Sequence, residues 1–192
     1  MEMQRQAVQG RIKSFALLES GMHRKALLKK IRFWLALFMA GLVLSGLTAF
    51  PLHAELSFAN RVLHAAPLQP AANATGMLPW IERVNRAISA TDASYPFLAY
   101  GTDWLAFAHL VIAVAFIGPF LDPVRNRWVI TFGLIACASV IPLAMIAGAV
   151  RGIPMGWRLI DCSFGVFGAV PLLICRRAIK AMETEARQQP VV

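Results

Sequence analysis

Few residues in this chain have side chains able to do chemistry, and most of them stand inside or at the edge of apolar stretches. Asp103 and His109 lie within one such stretch, Arg151 follows another, and Arg158 and Asp161 open a third. Ionisable groups in apolar helices are costly to desolvate and normally face the bundle interior, which makes each a candidate functional group. Together, Asp103, His109, Arg151, Arg158 and Asp161 read as one polar pocket able to bind an anionic or quinone-like ligand or to relay a proton. The same residues also suit ion pairs that fix helix register, Arg151 with Asp103 and Arg158 with Asp161. The second pair has the i, i+3 spacing of a helix-surface pair. His53 and His109 are the two histidines a haem between adjacent helices would use as axial ligands, although they stand at unmatched depths.

Other chemistry lacks a signature. Cys137, Cys162 and Cys175 have no zinc-ligand or Cys-x-x-Cys spacing and fall in apolar runs, where a free cysteine packs as a small residue. No His-Glu-x-x-His, Walker loop, dinucleotide glycine pattern or Gly-x-Ser-x-Gly elbow occurs. The sequence therefore specifies no cofactor and no reaction, and it favours a binding role over an enzymatic one.

The elements that must position these residues follow from hydropathy. Among 192 residues, 58% are hydrophobic and 15% charged, with a mean hydropathy of +0.59. A soluble domain carries about a quarter charged residues, so this composition excludes one. Phe33–Leu52 and Trp128–Val150 carry no charge, Ala99–Leu121 carries only Asp103 and His109, and Leu159–Cys175 carries only Asp161. At about 1.5 Å per helical residue and about 30 Å of hydrocarbon, each run is long enough to cross. The expected fold is an all-α integral membrane protein, a compact bundle of four transmembrane helices over 33–52, 99–121, 128–150 and 158–175. The 32-residue basic leader is too long for a signal peptide, and Pro51-Leu52-His53-Ala54 lacks a cleavage pattern, so the first run reads as a retained span.

The net charge of +9 divides by region. The arm (1–32) holds eight basic residues, the turn at 122–127 two and the tail (176–192) four, fourteen on one side; the loop at 53–98 and the hairpin that starts at Arg151 hold three and two, five on the other. The positive-inside rule makes the richer side cytoplasmic, which suits a bacterial-type inner membrane. Arg24, Lys25, Lys29, Lys30 and Arg32 then form a basic patch attracted to anionic lipid. Nucleic acid is disfavoured because the arm lacks interleaved aromatics and a reading motif.

Short amphipathic helices are expected in the arm and the first loop. The arm places Val8, Ile12, Phe15 and Glu19 on one face; after a break at Ser20-Gly21, Leu27, Leu28 and Ile31 lie opposite the basic patch. Such a helix lies in the headgroup region or docks on a partner. The loop predicts helices over Glu55–Ala65 and Leu78–Ala90 around an irregular Pro67–Gly76 connection, forming a small cap outside. Small residues mark the expected helix contacts: Gly133, Cys137, Val140, Ala144 and Gly148 in the third span, Gly41, Ser45 and Thr48 in the first, Gly165, Gly168 and Ala169 in the fourth. In the second, at about 100° per residue, Asp103, Ala106, His109 and Ala113 share one inward arc of about 120°. The whole reads as a binding, sensing or accessory subunit, alone or with a membrane partner or second copy. The rival reading is a small membrane enzyme or redox carrier using His109 with Asp103 and Asp161.

Overall fold

The computed structural model describes the backbone of residues 1–188 and the side chains of Met1 and residues 19–187. The expected Val8, Ile12 and Phe15 stripe lies outside the described side chains. All regular structure among the described residues is helical: α1 (Glu2–Ala49), α2 (Leu52–Leu63), α3 (Gln69–Ala74), α4 (Met77–Ser94), a 3-10 turn (Pro96–Ala99), α5 (Tyr100–Ala115), α6 (Ile117–Leu121), α7 (Arg127–Val150) and α8 (Met155–Gln188). Among the described residues, four segments are long and apolar enough to cross a membrane: Glu19–Ala49, Pro96–Leu121, Arg127–Val150 and Met155–Arg187.

Each boundary has a local cause. Pro51 has no N–H to continue α1, so the chain turns there and Glu55 N–H bonds the Pro51 carbonyl at 3.0 Å to start α2. Pro119 cannot donate to the Ala115 carbonyl, and the second span jogs at Phe116, whose N–H is shared between the Ile112 and Ala113 carbonyls. The α7–α8 hairpin ends α7 with Gly152 at φ 67°, a left-handed position that glycine adopts without Cβ strain. Ile153 N–H there closes on the Gly148 carbonyl at 2.8 Å and Gly152 N–H on Ala149 at 3.1 Å.

α1 packs on both α5 and α8, and α8 packs on both α1 and α7. All four meet in one core made of Ile31, Leu35, Phe116, Ile130, Leu172 and Cys175, continued along α8 by Ala178, Ile179 and Met182. Phe116 sits at its centre, fully buried, 4.8 Å from the Phe38 ring. At the other end α2, α3 and α4 form the cap, tied by His53 Nε2 with Ser89 Oγ at 3.0 Å and His64 with Glu82 at 3.1 Å.

Three expectations change. Arm and first span are one helix without a break at Ser20-Gly21; a single glycine costs only about 1 kcal/mol in a helix, and in the apolar stripe beyond it Ile31 is buried and Leu27 and Leu28 are half-buried. That stripe does not lie free: Leu27, Leu28 and Ile31 pack against Ala178, Ile179 and Met182, because α8 continues past Cys175 through what was expected to be a tail. The Pro67–Gly76 connection also holds a helical turn and more, with Ala72 buried.

The small-residue contacts are specific. A Cβ on Gly165 would run into the Cys137 carbonyl, and one on Gly46 would lie 2.9 Å from the Ala106 carbonyl. Gly41 has nothing within 4 Å, and Ser45 and Thr48 are exposed, so α1 meets α5 through Gly46 rather than through the expected face. Gly165→Val should therefore lower thermal stability in detergent by about 1–3 kcal/mol, the usual cost of overpacking, while Gly41→Val should leave the unfolding midpoint unchanged.

Candidate functional site

Of the five expected polar residues, Asp103, Arg151, Arg158 and Asp161 stand towards the cap-side end of the candidate spans and His109 near the middle of its own, Pro96–Leu121, and all but Arg151 fall on two different seams. Asp103 and His109 belong to α5, which leans on α1. Both are half-buried, while Ala106 and Ala113 on the same arc are buried and Trp104, Val111 and Ala115 are exposed. His109 donates from Nδ1 to the Leu105 carbonyl, one turn back, at 2.8 Å. In the neutral ring that leaves Nε2 as the acceptor. Its Cβ would lie 3.2 Å from a Cβ on Gly46, so the imidazole emerges beside the closest approach of α1 and α5.

Arg158 and Asp161 belong to α8, which leans on α7. The Arg158 stem lies across Gly148: a Cβ there would be 2.5 Å from Arg158 Cδ and 2.7 Å from Cγ. From this notch Nη1 donates to the Met145 carbonyl at 3.3 Å. Nε is buried with no hydrogen-bond partner among the described residues. The expected Arg158–Asp161 pair is not formed among the described residues, since the notch directs the guanidinium onto α7 instead of down its own helix. Arg151 is exposed at the end of α7 and makes no ion pair with Asp103. Two half-sites result, one carrying Asp103 and His109 and the other Arg158 and Asp161, with no hydrogen bond or ion pair joining them among the described residues.

The described residues contain no group of three or more His, Cys, Asp or Glu placed to hold a metal ion. His53 is held in the cap by Ser89 and His109 by its own helix, so the two rings have separate anchors. Cys137 and Cys162 are half-buried and Cys175 is buried, its Sγ 3.6 Å from the Ile31 carbonyl; all three are free thiols.

The opposite end carries most of the charge. Arg24, Lys25, Lys29, Lys30 and Arg32 are all exposed on α1, around the stripe that α8 covers. Paired this way, α1 and α8 form a two-helix stalk, fastened by His23 with Glu185, while Arg127 at the start of α7 pairs with Glu183 of α8 at 3.1 Å. Where the stalk meets the α6–α7 turn, a cavity of about 670 Å³ opens, and Arg125 and Arg187 line it with Arg24 and Arg32. Sequence reasoning missed Arg125 and Arg187 because charge at Arg176 and Arg177 marks the edge of a span, not the end of a helix. The signal present was the apolar spacing 175, 178, 179, 182, which continues the helix by more than two turns.

The chain matches no protein-family model, no curated protein and no solved structure. The reading of function rests on the geometry alone.

The stalk makes one contact testable immediately. Ile31 is fully buried where α1 crosses α8, so Ile31→Ala should cost about 2–5 kcal/mol. Thermal melting of detergent-solubilised protein should show this loss, with no comparable change for Phe33→Ala, which is exposed.

Proposed function

We propose that the chain is a multi-pass protein of a bacterial-type inner membrane that works by recognition, as a binding, sensing or accessory subunit. Its cap-end polar groups face outward, and the stalk lies in the cytoplasm, its basic residues drawn to anionic lipid. The exposed apolar faces support membrane insertion: Leu143, Ile146, Phe164 and Phe167 are 65%, 67%, 68% and 73% exposed, and nothing among the described residues covers them. Patches of this extent on a soluble surface would drive association.

One observation carries the recognition reading. Among the described residues, Arg158 Nε, a charged donor, is buried without an acceptor in the α7–α8 seam, and Asp161, one turn on, makes no ion pair. A buried donor left unsatisfied costs about 1–3 kcal/mol, and more when charged, so a ligand or partner span that draws the guanidinium out of the seam and supplies an acceptor gains what the isolated chain lacks. Gentle release from its own membrane followed by native mass spectrometry tests this directly. The wild type should carry a bound species that Arg158→Met loses at unchanged helicity. A bare wild type, or the same species retained by the variant, refutes it.

Orientation has its own readout. With the native cysteines replaced by serine, an impermeant thiol reagent on intact cells should modify a cysteine at Ala66 and spare one at Gln6; the reverse pattern would show the chain inverted.

A second reading, a membrane enzyme or redox carrier using His109 with Asp103 and Asp161, is favoured by the His109 tautomer. With Nδ1–H engaged, Nε2 keeps a lone pair free to bind a haem iron or accept a proton. On that reading His109→Ala folds normally and loses colour or turnover; on the recognition reading it lowers thermal stability, because alanine removes the half-buried imidazole.

A further inference from the structure

At the basic end the α1 arm, the turn between α6 and α7 and the last turns of α8 surround the 670 Å³ cavity. Four guanidinium groups line it, from Arg24, Arg32, Arg125 and Arg187, against the two carboxylates of Asp122 and Glu183. Both carboxylates are already engaged. Glu183 accepts from Arg127 Nη1 at 3.1 and 3.3 Å, and Asp122 Oδ1 accepts the Arg125 backbone N–H at 3.1 Å. Arg32 is partly committed, with Nε donating to the Phe120 carbonyl at 3.3 Å and its guanidinium 5.8 Å above the Phe120 ring. The guanidinium groups of Arg24, Arg125 and Arg187 have no hydrogen-bond or ion-pair partner among the described residues.

Three unpaired guanidinium groups around one concavity repel one another unless an anion joins them. Each offers a planar fork of N–H donors, the geometry that matches a phosphate bidentately. Together they present more donors than the two oxygens of a carboxylate can accept. The rest of the wall, including Leu121 and Met182, is apolar. The cavity also sits where the apolar runs of α6 and α7 end, which is headgroup depth if the helices cross a bilayer. Its size falls within the range of about 300–1,000 Å³ common for small-ligand sites.

We propose that this cavity binds a phosphate group, with Arg24, Arg125 and Arg187 donating to its oxygens and Leu121 and Met182 taking the hydrocarbon beside it. The group reaches it either as the phosphodiester of an anionic lipid or as free phosphate. This site is independent of the cap-end reading and stands or falls without it.

The test uses the whole chain in detergent and native mass spectrometry. Phosphatidylglycerol, phosphatidylcholine and inorganic phosphate are titrated separately into the wild type, Arg125→Gln/Arg187→Gln and Arg83→Gln/Arg86→Gln. The second variant removes the same charge from exposed positions on α4, outside the cavity and outside the basic patch. The first phosphatidylglycerol should bind the cavity variant at least about tenfold more weakly than the wild type, given the usual strength of charged hydrogen bonds, while the α4 variant stays within about twofold. Inorganic phosphate that displaces the lipid identifies the bare phosphate as a sufficient ligand; lipid binding that phosphate does not displace assigns the site to the phosphodiester lipid. Equal weakening in both variants shows diffuse charge attraction and overturns the proposal, as does the absence of any preference over phosphatidylcholine together with no phosphate binding. Should the cavity variant fail to fold, Arg24→Gln carries the same comparison.

Discussion

A lipid tail is as apolar as leucine, so hydrocarbon removes the usual reason for helices to associate, and close packing has to hold such spans together. In this chain that packing concentrates where a glycine lets one helix lie on a neighbour's carbonyl: Gly46 against Ala106, and Gly165 against Cys137. Contacts of this kind allow weak Cα–H to carbonyl interactions in addition to dispersion. They set the pairing of α1 with α5 and of α7 with α8, and α1 against α8 joins the two pairs. Phe116, at the jog between α5 and α6, is fully buried where the pairs converge.

The same pairing decides where polar groups go. Gly148 leaves a notch on α7 that takes the Arg158 stem, so its guanidinium lies along the seam with Nε unsatisfied instead of pairing with Asp161. Asp103 and His109 ride on the other pair. The cap-end polar groups are therefore split between two seams, and a ligand at that end would have to meet them as they stand or bring them together. At the basic end the pairing has the opposite effect, gathering arginines from α1, the α6–α7 turn and α8 around one cavity.

Much of this was legible in the residues, and the exceptions share a physical origin. The four candidate spans were visible because charge-free length is a one-dimensional property. The α7 seam was visible because Gly133, Cys137, Val140 and Gly148 repeat at helical spacing. Gly41 and Gly46 are equally small, however, and only the position of α5 selects Gly46. The i, i+3 spacing of Arg158 and Asp161 describes one helix in isolation, whereas the competing acceptor on Met145 belongs to another. The stalk was hidden for a third reason: Arg176 and Arg177 end an apolar run without ending the helix. Leu27, Leu28 and Ile31 carried the correct amphipathic face, but periodicity does not say whether lipid, a partner or the chain's own α8 will cover it.

The covering of that face by α8 links the spans to the basic end, and hydrogen exchange in nanodiscs measures it most directly. Amides over 22–30 should exchange slowly in the wild type and much faster in Ile179→Asp, because Ile179 is only 3% exposed in the contact with α1 and a buried carboxylate there would part the stalk. Slow exchange over 22–30 that persists in Ile179→Asp would show that the arm is protected by something other than α8, and would contradict the paired stalk.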